Sequence, residues 1–188
     1  METQTPKEGT QTEFLPGTSV IYAMHGKCHV LGVEVRSLGE ESILFYKLEI
    51  KKSSFSRTHK QETAIWVPVA NAKDRGLRTP MTREEAESAM KILLSREYYF
   101  KIQESWTVLQ HQLETTIRQE GGIGLAKAAS FLFVLRKKQI VPSSEVIKLQ
   151  ETVHKLLFRE MSDALDIPPR ILEEKVQKGF RSKLLPDT

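Results

Sequence analysis

The chain contains a single cysteine, Cys28, so no disulfide can form within it. That absence points to a reducing compartment. Its place in a β-patterned run makes it a buried thiol in expectation, not a reactive one. Long hydrophobic runs are missing too: nothing approaches the ~18–20 apolar residues a membrane-spanning helix needs. The first residues, METQTPKEGTQTE, are polar, without the apolar segment of a secretory signal. A cytoplasmic protein without a membrane partner is the expectation. The five histidines are scattered, and none shares a metal-ligand spacing with another His, Cys or acid. There is no phosphate-binding GxxxxGK[ST] loop and no GxSxG elbow. Gly121, Gly122 and Gly124 do not follow a strand, so they make no dinucleotide fingerprint. With no such constellation, the residues point to a non-enzymatic binding protein that needs no cofactor.

What is present is ordinary soluble composition: 28% charged and 7% aromatic residues in a chain of 188, room for one ordinary domain or two small ones. The net charge of +4 and a pI near 9.1 permit a nucleic-acid partner, but only clustering on one face would make a footprint.

The stretch Phe14–Arg36 holds two runs of period-two alternation, Ser19–Ala23 and Cys28–Arg36, joined through His25-Gly26. A glycine in so short a connection fits a tight hairpin requiring positive φ. In the second run His29, Leu31, Val33 and Val35 alternate with Cys28, Val30, Gly32, Glu34 and Arg36. A third strand is expected at Ile43–Ile50, with Leu44, Tyr46, Leu48 and Ile50 opposite Phe45, Lys47 and Glu49. A polar basic loop, Lys51–Gln61, leads to a last strand, Glu62–Val69, in which Trp66 opposes Thr63, Ile65 and Val67. Four short strands with turns between them suggest a small barrel-like sheet over residues 14–69. Residues 1–13 lack an apolar anchor and read as a disordered tail.

After a connector over 70–81 the pattern becomes helical. Thr82, followed three residues later by Glu85, is a capping box. Helices are expected near 82–95, 98–119, 123–138, 143–165 and 168–178, with breaks at Gly121-Gly122 and Pro142. A fraying tail, 179–188, follows. The fold class is therefore α+β: an N-terminal β module and an all-helical C-terminal domain over 82–178.

Phe14, Gly17, Val20, Tyr22, His25-Gly26, Tyr46, Leu48, Val67-Pro68-Val69 and Gly76-Leu77-Arg78, in that order and spacing, resemble the CarD/CdnL family of bacterial transcription regulators. The resemblance covers residues 14–165, more strongly in the first half. Thr18 and Ala23 depart from it, standing where the family usually has Asp and Pro. The resemblance implies a Tudor-like β-barrel that docks on the β subunit of bacterial RNA polymerase. It also implies a helical domain that touches promoter DNA and stabilises the open complex, the regulator acting as a monomer. The rival reading of the same elements is a protein–protein adaptor with no DNA contact.

Three residues carry the implied roles. Arg36 matches a polymerase-contacting arginine of the family, and on the strand face opposite Leu31, Val33 and Val35 it is expected to be exposed. Trp66 stands where members of the family carry a second one, and its outward face makes it either an interface anchor or core beneath a covering element. Trp106 matches a tryptophan that props the DNA minor groove, yet Ile102, Trp106, Leu109, Leu113 and Ile117 also form one helical stripe, as core residues do. The basic run that follows this tryptophan in some relatives is absent here. Phosphate contacts are expected from Lys148, Lys155 and Arg159 on one helical stripe and from Arg136, Lys137 and Lys138 at the end of the preceding helix.

Overall fold

Alternating β-branched and polar residues form the first half of the chain into strands, and their pairing sets which side of each is buried. The computed structural model describes residues 12–39, 41–50, 64–95, 100–101, 105–137 and 144–182. It divides into two units between Thr79 and Pro80. Among the described residues the first unit has five strands: β1 (Ser19–Tyr22), β2 (Gly26–Leu38), β3 (Glu41–Ile50), β4 (Ala64–Pro68) and β5 (Leu77–Arg78). All pairings are antiparallel, in the order β4-β3-β2-β1-β5, with β4 and β5 as the edges of an open sheet. Gly26 has φ of +77° where the chain leaves a short 3-10 turn, Ala23–His25, and enters β2. That is the positive φ its place in the hairpin required.

The connector expected over 70–81 is partly sheet. Leu77 is buried in the core, and β5 pairs with β1 through Ile21–Arg78 and Tyr22–Leu77. A two-residue strand is too short for alternation to show in the sequence, and burial of Leu77 is what holds it. The N-terminal tail ends earlier than expected. Phe14 packs edge-to-face on Tyr46, with ring centroids 5.6 Å apart, and the Tyr46 hydroxyl accepts the Glu13 N–H at 3.0 Å. Glu13 also pairs with Lys73 at 3.0 Å. The rest of the tail up to Gln11, the Lys51–Gln61 loop, Glu62 and Thr63 lie outside the described residues.

One side of the sheet carries the core: Val20, Cys28, Val30, Tyr46, Leu48, Val67 and Leu77, joined by Phe14 and Ala72. Strict alternation along β2 does not hold. A bulge lies between Val30 and Gly32, where Val30 opposes Leu48 and Gly32 opposes Lys47. The extra residue, Leu31, is about half exposed. A bulge advances the strand by one residue without advancing its partner, which reverses the faces beyond it. Val33 therefore joins Val30 on the core side, and Gly32, Glu34 and Arg36 move to the outer side with His29.

The second unit has four helices among the described residues: α1 (Arg83–Ser95), α2 (Trp106–Lys137), α3 (Ser144–Leu165) and α4 (Pro169–Ser182). The Thr82 capping box forms reciprocally: Glu85 N–H donates to Thr82 Oγ1 at 3.2 Å, and Thr82 N–H donates to Glu85 Oε2 at 2.8 Å. The helix expected from residue 98 starts at Trp106 instead. Phe100, Lys101 and Ser105 are not helical, and the Ser105 carbonyl accepts the first helical bond from Leu109 N–H. Serine is a favoured residue at that capping position. The break expected at Gly121-Gly122 is a corner within α2, where Gly121 takes φ 59° and ψ −127°, a conformation reserved in practice to glycine. Beyond it, a Cβ on Gly124 would collide with the Thr116 carbonyl oxygen. A Lys127–Glu120 ion pair spans the corner.

Leu109, Leu113 and Ile117 before the corner, and Leu125, Ala129 and Leu132 after it, are buried. They face α1 and α3, which bury Ala86, Ala89 and Leu93, and Leu149, Val153, Leu157 and Met161. Glu160, although charged, is also buried, and its Oε1 accepts the Met81 N–H at 2.9 Å just before α1. α4 starts at Pro169, directly after Pro168, and runs four residues past the boundary expected at 178. Residues 183–188 lie outside the described residues. No helix among the described residues is long and apolar enough to cross a membrane.

Candidate functional site

The outer side of the sheet unit gathers four polar or aromatic side chains from three neighbouring strands. Register places Lys47 of β3 between Gly32 of β2 and Trp66 of β4, with Glu34 and Arg36 following on β2. The Arg36 guanidinium carbon lies 3.8 Å from the centroid of the Trp66 ring, a cation–π stack. Trp66 Nε1 donates to Glu34 Oε2 at 3.2 Å, and Lys47 Nζ donates to Glu34 Oε1 at 2.9 Å. Lys47 lies farther from the ring, with Nζ 5.9 Å from its centroid.

The hydrogen bond from Lys47, then that from Trp66, holds the Glu34 carboxyl below the usual carboxylate range. Both Glu34 oxygens are thus engaged, although Arg36 is its neighbour on the same face. Arg36 is exposed and makes no hydrogen bond or ion pair among the described residues. Trp66 is half-buried, with its N–H satisfied and one ring face under the guanidinium. An arginine and a tryptophan stacked on an open sheet face are the residue types that dominate protein interfaces.

Arg36 and Trp66, each expected to face outward, are therefore brought into contact. The reason differs for Arg36. Strict alternation groups it with Cys28 and Val30, which are core residues, and only the Leu31 bulge turns it outward. Glu34 and Lys47 were missed as site residues. The outward face of Lys47 was legible, but that of Glu34 depends on the same bulge, and the strand register that joins both to Trp66 was not legible.

In the helical unit, Trp106 is the first residue of α2 and is half-buried; its Nε1 lies in the interior with no hydrogen-bond partner among the described residues. Leu109, Leu113 and Ile117 of the expected stripe are core, and Ile102 lies outside the described residues. Lys148, Thr152, Lys155 and Arg159 are all exposed along one face of α3. Acids interleave with them, however. Glu145 and Glu151 are exposed within one turn of Lys148, Glu151 is four residues from Lys155, and Asp163 is four residues from Arg159. The backbone of Arg136 and Lys137 ends α2, but their side chains, and Lys138 altogether, lie outside the described residues.

Cys28 is fully buried in the sheet core, where burial pushes its thiol up to about 11. Among the described residues no group of three or more His, Cys, Asp or Glu side chains could hold a metal ion. No protein-family model matches the chain, and no curated protein sequence matches it either.

Proposed function

We propose that this chain is a non-enzymatic transcription regulator that docks on the β subunit of bacterial RNA polymerase and holds promoter DNA, stabilising the open complex at initiation. The sheet unit, read as Tudor-like, supplies the polymerase contact, and the helical unit supplies the DNA contact, in the cytoplasm and without a cofactor. The observation that carries this reading is the Arg36–Trp66 stack on the outer face of the sheet. Its residues stand at the positions where the resemblance to CarD-like regulators expects polymerase contacts. Stabilisation would follow from contacts made better after melting than before. Its size is bounded by the difference in affinity for the two promoter states.

The deciding experiment measures binding of the purified chain to the isolated polymerase β-subunit lobe. Arg36→Glu is expected to weaken the complex about tenfold or more, as removal of an interface anchor does. Unchanged affinity would remove Arg36 from the interface.

One observation favours a second reading, a protein–protein adaptor that does not touch DNA. The cations of α3 are interleaved with Glu145, Glu151 and Asp163, which dilutes any phosphate-binding stripe there.

A further inference from the structure

Glu34 meets Lys47 and Trp66 across two strand boundaries, at sequence separations of 13 and 32 residues. Among the described residues of the outer-face cluster, its carboxylate, carried on β2, is the one group that hydrogen-bonds to both β3 and β4. Arg36, two residues along the same strand face, would be its natural ion-pair partner, since a guanidinium fork matches a carboxylate. Instead Lys47 takes Oε1 and the indole takes Oε2, and the guanidinium lies over the indole ring. We infer that Glu34 is the positioning residue of this face: its carboxylate fixes the Trp66 indole as a platform for Arg36, while Lys47 keeps that carboxylate from neutralising the arginine. The inference rests on the reading of this face as a docking surface and adds how that surface is held ready.

A stacked arginine whose N–H groups are not spent on the neighbouring carboxylate is pre-organised for a partner, because less side-chain freedom is lost on binding. A bare Arg36 beside a free Glu34 would collapse into an ion pair.

The test uses the full chain, in which Trp66 and Trp106 are the two tryptophans, so two indole N–H signals are observed by NMR and Trp106→Phe assigns them. The binding probe is the isolated β-subunit lobe of bacterial RNA polymerase. Glu34→Ala is expected to move the Trp66 indole signal and speed its solvent exchange, and to weaken lobe binding roughly fivefold, a modest factor for a solvent-screened cluster. In a Trp66→Ala background the same substitution should change affinity by less than about twofold, because the two residues act as a unit. Lys47→Met should shift the Arg36 Nε–H signal as Glu34 captures the guanidinium, and Lys47→Met with Glu34→Gln should return it.

A Trp66 signal unmoved by Glu34→Ala overturns the inference, as does full additivity in the two backgrounds. So does an Arg36 signal unmoved by Lys47→Met. If the signals move as expected but neither Arg36→Glu nor Trp66→Ala alters lobe binding, the docking reading fails and takes the positioning role with it, while the local geometry stands.

Discussion

Glu34 accepts two hydrogen bonds that are stronger when it is ionised, and this makes the outer face sensitive to acid. Hydrogen bonds from Lys47 and Trp66 lower its pKa in the folded chain. A group with a depressed folded pKa adds stability above its unfolded pKa, and that contribution is lost as pH falls through the folded value. The Trp66 indole signal is therefore expected to titrate with a midpoint below the ~4.3 of an unperturbed Glu. In Glu34→Gln the transition should be absent. A midpoint at or above the ordinary value would mean that the two hydrogen bonds do not hold the carboxylate in solution. Cys28 shows the opposite legibility. Its burial followed from its place in an apolar run, and its raised pKa follows from burial alone.

Among the elements, β2 shows where pattern reading fails. Alternation within Cys28–Arg36 treats the run as one uninterrupted strand, but Leu31 is an extra residue with no counterpart on β3. A bulge leaves no signature in a sequence whose residues on either side suit a strand equally well. Deleting Leu31 would remove the extra residue and restore strict alternation with Val30 still opposite Leu48 and Gly32 opposite Lys47, so Glu34 and Arg36 would stay on the outer side. A register slip that turned those charges inward would bury them unpaired at high cost, so the deletion is expected to fold with the Trp66–Glu34 contact kept. Circular dichroism and the indole N–H signal would report it, and an unfolded sheet unit or a lost Trp66–Glu34 contact would refute the reading of Leu31 as the extra residue. The capping box of α1 is the contrasting case. Its two hydrogen bonds were readable because they join residues three apart. Thr82→Ala should cost about 1 kcal/mol in chemical denaturation of the helical unit, within the usual range for a lost cap.

On the scale of the whole molecule, the change from period-two to helical patterning showed an N-terminal β module and a C-terminal helical one. The connector, however, was drawn too early. The units part between Thr79 and Pro80, because β5 keeps Leu77 and Arg78 with the sheet. The α+β class was legible, whereas the open five-strand sheet was not, since its short edge strand has too few residues for a pattern. The two functional readings also separate at this scale. If the helices hold promoter DNA, a fluorescence titration should show binding that weakens steeply between two salt concentrations, and Lys155→Glu with Arg159→Glu should flatten that slope. An absence of affinity at low salt would favour the adaptor. Trp106→Ala should shorten open-complex lifetime while leaving the helical circular dichroism unchanged; loss of that signal would make Trp106 core.

The sequence by itself determined what local chemistry can determine: the element types, the positive φ of Gly26, the α1 cap and the outward aspect of Trp66. Each depends on residues only a few positions apart. Tertiary structure decided what depends on distant pairing. The bulge at Leu31 reversed the faces of β2, and the β2–β3–β4 register brought Glu34 to Lys47 and Trp66, 13 and 32 residues away. Alternation assigns each strand two faces but says nothing about which residue of a neighbouring strand lies opposite. That choice belongs to packing across the whole sheet.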